Sequence, residues 1–197
     1  MTVATKLTFE EYLSYTDGTD KRYELVDGEL VAMGLGSGLH GAILKFLEKA
    51  FDAEIARLGL KLVALQAAVG VRSPRSGRRE TSRIPDVSVI AADQWHELRT
   101  QEAIIELNEP PPLLVVEVVS LSTRRTDYRA KRAEYTVLGI AEYWIVDPEA
   151  AKVTLLTLED DWYEAIEYAG QNLVRSTLFP SLELTAAQIL NGEFDVS

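Results

Sequence analysis

The run Leu113-Leu114-Val115-Val116-Glu117-Val118-Val119-Ser120 constrains this chain more than any other segment. Four aliphatic residues precede the acid and two follow it, which reads as a strand covered on both faces. A carboxylate inside such a strand must be paired, protonated or bound to a metal, because an uncompensated charge in a low-dielectric interior is very costly. The side-chain alternation of a strand puts Leu113, Val115, Glu117 and Val119 on one face. The question for the other residues is what they can bring to Glu117.

Composition narrows the possibilities. The chain of 197 residues has the size of one domain, expected to span 1–197. It has no apolar run long enough to cross a bilayer, and Met1 to Lys6 carry no apolar leader core. A cytoplasmic protein without membrane association is the expectation. The absence of cysteine excludes disulfides and thiolate zinc sites, and two histidines, His40 and His96, exclude a multi-histidine metal centre. The formal net charge of -11 means that nucleic acid is not attracted over the whole surface, so any such contact needs a local basic patch. Two stretches qualify: Arg72, Arg75, Arg78, Arg79 and Arg83, and Arg124, Arg125, Arg129, Lys131 and Arg132. A loop and a solvated helix face are the plainer readings of them.

The order of elements predicts a mixed α+β domain. Thr8 to Leu13 reads as a short capped helix, and Asp27-Gly28 as the turn of a hairpin formed by Tyr23–Val26 and Glu29–Met33. Apolar residues at helical spacing run from Leu39 to Leu58, with Gly59 as the stop. One strand is expected from Lys61 to Val71 and another from Ile84 to Ile90. After the Glu117 strand, Thr126 to Leu138 reads as a helix, Ala141 to Pro148 as a buried strand and its turn, and Val153 to Tyr168 as a final hairpin.

Asp86 stands 31 positions before Glu117, on the strand that precedes the Glu117 strand. If the two strands pair, both carboxylates reach one edge of the sheet. Two adjacent carboxylates raise each other's pKa unless a cation lies between them, and oxygen ligands without histidine or cysteine favour Mg²⁺ or Mn²⁺. Lys131 lies on the helical stripe Asp127, Lys131, Glu134, Tyr135, Leu138, from which it could reach both acids. The plainer alternative pairs Glu117 with Arg129 or Arg132, leaves Lys131 and Glu24 in solvent, and makes His40 a helix-start residue. Tyr135, Tyr143 and Trp144 read as core.

Taken in order, these segments resemble a known family. Ile84-Pro85-Asp86-Val87, Val115-Val116-Glu117-Val118-Val119-Ser120, Asp127-Tyr128-Arg129-Ala130-Lys131, Tyr135, Gly139-Ile140 and Glu142-Tyr143-Trp144-Ile145-Val146-Asp147-Pro148 look like the Uma-type restriction endonuclease family, domain of unknown function 820, abundant in cyanobacteria. Tyr23 to Glu29, His40 and Leu178 to Leu184 fit it too, so the likeness covers nearly the whole chain.

The resemblance implies a restriction endonuclease-like fold: a mixed central sheet flanked by helices, with an α-β-β-β-α-β core and N-terminal and C-terminal hairpins. It implies Asp86 and Glu117 as metal ligands, with the backbone carbonyl of Val118 as a third, and Lys131 as a relocated catalytic lysine. Val119 occupies the position where the usual pattern has lysine, and Leu121 the position where proline often follows. Glu24 is implied as a further catalytic acid, with His40 and Asp127 as accessory residues. The activity implied is Mg²⁺-dependent DNA hydrolysis, by a protein for which a homodimer is the commonest assembly. Two other functions fit the same residues. One is a nuclease-fold module that binds or assembles without catalysis. The other is a metal-dependent hydrolase of a small phosphate substrate.

Overall fold

The computed structural model describes residues 6–19, 21–74 and 80–193, so Arg75, Arg78 and Arg79 of the first basic stretch lie outside the described residues. Thr8 starts α1 (Phe9–Leu13) by a reciprocal cap: its hydroxyl accepts from the Glu11 N–H, and the Glu11 carboxylate accepts from the Thr8 N–H. Asp27 and Gly28, at φ of 53° and 81°, turn β1 (Tyr23–Val26) into β2 (Glu29–Ala32). Next, α2 (Gly38–Leu58) is capped by the Ser37 hydroxyl and ends at Gly59 in the left-handed conformation.

The single strand expected over Lys61 to Val71 is two. The chain runs through β3 (Leu62–Gln66), bends at Ala67 with φ 43°, and continues as β4 (Gly70–Ser73) in a different sheet. A non-glycine residue at positive φ leaves no trace in hydrophobic spacing, so the break is invisible to periodicity. The strand expected over Ile84 to Ile90 is likewise divided, into β5 (Thr81–Arg83) and β6 (Val87–Ala91). Ile84-Pro85-Asp86 carries the chain from one sheet to the other, and Pro85 has no N–H for a ladder. Asp86 therefore sits immediately before a strand and not within one.

Beyond β6 come α3 (Ala92–Leu98) and β7 (Ile104–Ile105), two elements that the sequence reading did not anticipate, and then β8 (Leu114–Val118). The helix expected over Thr126 to Leu138 is composite. It opens as a π-helical turn, Thr126–Lys131, and continues as α4 (Arg132–Leu138), stopped by left-handed Gly139. The chain ends with β9 (Glu142–Asp147), β10 (Lys152–Glu159), β11 (Trp162–Tyr168), β12 (Leu173–Val174), β13 (Leu184–Thr185) and α5 (Ala186–Asn191).

The central sheet has the order β11-β10-β9-β8-β6-β3; β8 and β9 run parallel and the other pairs antiparallel. The sequence α2-β3-β6-β8-α4-β9 is the α-β-β-β-α-β arrangement anticipated for the core. A second sheet, β2-β1-β5-β4-β7, carries the N-terminal hairpin. On one face of the central sheet, Ile43, Leu47 and Phe51 of α2 pack on Val87, Leu114, Val116 and Trp144. On the other, Tyr135 of α4 packs with Val115, Val119 and Tyr143. Glu117 belongs to this second face, beneath the composite helix. Among the described residues no helix is long and apolar enough to cross a membrane.

Phe51 is fully buried, with its ring centroid 5.4 Å from those of both Trp144 and Phe179. Phe51→Ala is expected to lower the unfolding free energy by about 3–5 kcal/mol, read from urea melts. A loss below about 1 kcal/mol would contradict a close-packed centre there.

Candidate functional site

The β6–β8 register pairs Val87 with Val116, so the residue before β6 meets Glu117 and Val118 on β8. One Asp86 oxygen, Oδ2, accepts the Val118 N–H at 2.7 Å, and the other, Oδ1, lies 3.4 Å from His40 Nε2 on the first turn of α2. Glu117 is 2% exposed. Its Oε2 accepts from the Lys131 ammonium at 2.6 Å and its Oε1 from the Tyr135 hydroxyl, also at 2.6 Å. The counter-charge is thus Lys131, not Arg129 or Arg132; Arg132 instead donates to the Tyr163 carbonyl.

Lys131 stands among three acids. Beyond Glu117, its Nζ lies 3.4 Å from Asp127 Oδ1 and 3.9 Å from Glu24 Oε1. Glu24 reaches the site from β1 of the second sheet. It accepts the Ile84 N–H at 3.0 Å and the Arg83 guanidinium at 3.1 Å, and Arg83 forks onto Glu134 of α4 at 2.7 and 3.2 Å. This buried Glu24–Arg83–Glu134 bridge fastens the second sheet to the helix that carries Lys131. The π-helical turn is fastened from β9. Tyr143 donates to the Asp127 carbonyl at 2.9 Å, and Asp147 accepts from Arg124 at 2.6 Å and Tyr128 at 3.1 Å. Single π-turns within helices occur often at functional sites, and this one carries both Asp127 and Lys131.

Glu117, Asp127, His40 and Lys131 all titrate above their ordinary values. Burial pushes the Glu117 carboxyl up to about 8, against the pull of Lys131 and with the repulsion of Asp86, Asp127 and Glu24 added. Burial raises Asp127 as well, and the hydrogen-bonding contact with Asp86 raises His40. Burial alone would depress Lys131, yet Glu117, Glu24 and Asp127 outweigh it and hold its pKa above the ordinary lysine value. Five carboxylates share this network with one lysine, one arginine and one histidine. Burial first, and then the repulsion among the acids, makes Glu117 and Asp127 hold their protons.

A hard divalent cation fits that deficit of positive charge and the all-oxygen donor set of Asp86 and Glu117. Among the described residues, no three His, Asp or Glu side chains converge closely enough to chelate one ion. A cation here would have two protein carboxylates at most and water for its other ligands, a coordination known for Mg²⁺. His40 and Asp86 are the most exposed members, with 23% and 16% of their side chains accessible.

The arrangement brings together Asp86, Glu117, Lys131, Glu24, Asp127 and His40, with Val118 contributing its N–H to Asp86. The sequence reading missed Tyr135 as a partner of Glu117, and Arg83 and Glu134 as the bridge behind Glu24. Tyr135 shares the helical stripe of Lys131, so its position was available while its hydroxyl was counted as core. Arg83 carried no such signal, because its partners lie 59 and 51 positions away in sequence.

Comparison with known proteins gives one consistent picture. Residues 9–187 match the Uma2 family, described as "Putative restriction endonuclease". An uncharacterized protein of Synechocystis sp. is 29% identical over 164 residues, which cover 79% of this chain and 76% of the relative. The crystal structure of a protein described as "a putative nuclease belonging to DUF820", from Anabaena variabilis, superposes with a TM-score of 0.74 at 18% identity. That match covers 94% of this chain and 98% of the other and shows a shared fold. With the family match running from α1 to the start of α5, the chain belongs to the Uma2 restriction endonuclease-like family.

Proposed function

We propose that this protein is a metal-dependent endonuclease that hydrolyses DNA phosphodiester bonds. The observation that carries the reading is the buried Glu117, joined to Lys131 and set beside Asp86 in a pocket short of positive charge. Family membership and fold support the nuclease class; the metal, the substrate and the roles below are inferred from the chemistry of the residues.

Asp86 and Glu117 would hold Mg²⁺ or Mn²⁺, with the Val118 carbonyl as a third protein oxygen. When bound, the ion supplies Lewis-acid stabilisation of phosphoryl charge and makes a coordinated water more acidic. Lys131 donates to the phosphoryl oxygens as negative charge grows on them, in a site that excludes most water. Glu24 and Asp127 keep Lys131 charged and aimed. His40, at the open side, accepts a proton in its neutral form and orients Asp86 in its charged form. Overall, a water oxygen bonds to phosphorus, one P–O ester bond breaks, and the departing oxygen takes up a proton.

Nicking of supercoiled plasmid with Mn²⁺ or Mg²⁺ tests this reading. Cleavage is expected to disappear in Glu117→Gln and to slow by about 100-fold in Lys131→Met. Binding of DNA without nicking would favour a noncatalytic binding module. Turnover of a small phosphate ester without nicking would favour the small-substrate hydrolase.

The pH dependence of stability is a second test. The Glu117 carboxyl binds its proton more tightly folded than unfolded, so its contribution is complete below the ordinary carboxylate pKa of 4.5 and is lost as pH rises through about 8. His40 and Asp127 are raised too and act with the same sign. In EDTA, urea melts should show stability falling between about pH 5 and pH 8, with a shallower fall in Glu117→Gln. Mg²⁺ should restore more stability at pH 8 than at pH 6, because a ligand carboxylate must be deprotonated. An equal slope in wild type and Glu117→Gln would contradict the buried, proton-binding Glu117.

A further inference from the structure

We infer that Asp127 is a second seat for the Lys131 ammonium, taken up when a divalent cation occupies Glu117; this rests on the metal reading above. Asp127 is 1% exposed, and neither of its carboxylate oxygens makes a hydrogen bond. Tyr143 takes its backbone carbonyl, and the cation facing its carboxylate is Lys131, at 3.4 Å. The nearby Thr123 hydroxyl accepts from the Ser120 N–H and shares a hydrogen bond with the Ser120 hydroxyl, so it supplies Asp127 at most a neutral donor. Buried carboxylate oxygens without a donor are rare and call for a reason.

Glu117 is the opposite case, with each oxygen already holding a donor at 2.6 Å. A cation shared by Asp86 and Glu117 needs one of those oxygens. It also repels an ammonium seated on the same carboxylate. Lys131 must then move without leaving its charge unpaired in the interior. Its flexible stem and three N–H donors allow this, provided that an acceptor is near. Asp127 Oδ1 is 3.4 Å away and four positions earlier on the same π-helical turn. A shift of about 0.6 Å closes that gap to a charge-assisted hydrogen bond of about 2.8 Å. Glu24 Oε1, 3.9 Å from the same ammonium, stays a second acid beside it. The exchange frees an oxygen of Glu117, keeps Lys131 paired, and gives Asp127 a close charged donor. Asp127 is thus a positioning residue that acts through Lys131 and does not touch the ion.

A double-mutant cycle read by calorimetry with Mn²⁺ tests this. Asp127→Asn is expected to weaken Mn²⁺ binding by about tenfold or more, because Lys131 then stays on Glu117. Lys131→Met should retain binding, and adding Asp127→Asn to it should change affinity by less than about twofold. Equal affinity in wild type and Asp127→Asn overturns the assignment of Asp127 and leaves the metal reading standing. An equal loss from Asp127→Asn with and without Lys131 also overturns it, since Asp127 would then act directly on the ion. A wild-type protein that binds no Mn²⁺ overturns both. Should the variants fail to fold, a Mg²⁺-bound crystal structure of the wild type decides. Lys131 Nζ is expected within about 3.0 Å of Asp127 and beyond about 3.5 Å from Glu117. Lys131 still seated on Glu117 beside a bound ion overturns the proposal.

Discussion

The rest of this structure is arranged around one buried hydrogen-bonded pair, Glu117 with Lys131, which becomes an ion pair once Glu117 gives up its proton. Both groups are almost wholly removed from water, and neither would be tolerated there alone. Removing one partner of such a pair costs about 3–5 kcal/mol, because the other charge stays behind. The fold therefore supports each partner separately. Glu117 is aimed by the β8 ladder and held by the Tyr135 hydroxyl. Lys131 is aimed by a π-helical turn that Tyr143 and Asp147 fix to β9. A well-packed apolar pair often stabilises such a place as well or better, which supports the proposal that this pair serves chemistry.

The two sheets have different duties toward this pair. The central sheet brings Asp86 beside Glu117 through the β6–β8 register. The second sheet supplies Glu24, which shares Lys131 and is braced by Arg83 against Glu134. The short crossing Ile84-Pro85-Asp86 between the sheets delivers the one acid of the pair of proposed ligands that water can reach. The site is thus built where the chain changes sheet, which lets distant segments converge on one lysine without a long loop.

Much of this was legible in the sequence. The aliphatic run around Glu117 implied a buried strand. The neighbouring Pro85-Asp86 implied a second acid at the same edge, and the spacing of Asp127, Lys131 and Tyr135 put them on one helix face. These inferences succeed because period and strand adjacency are local properties. The break at Ala67 was not legible, because its positive φ is imposed by the path between two sheets and not by its own residue type. The unexpected α3 and the two-residue β7 are too short for periodicity to mark. The Arg83 bridge joins residues more than fifty positions apart, which spacing cannot reveal. The π-helical turn keeps the helical stripe almost unchanged, so the sequence reads as an ordinary helix through it.

A divalent cation is proposed to answer the charge deficit at Glu117 and Asp86. Anomalous diffraction from crystals soaked in millimolar Mn²⁺ would reveal it. One strong peak is expected between Asp86 and Glu117, about 2.0–2.3 Å from an oxygen of each. An empty map there, with Lys131 and Tyr135 still holding both oxygens of Glu117, would contradict it.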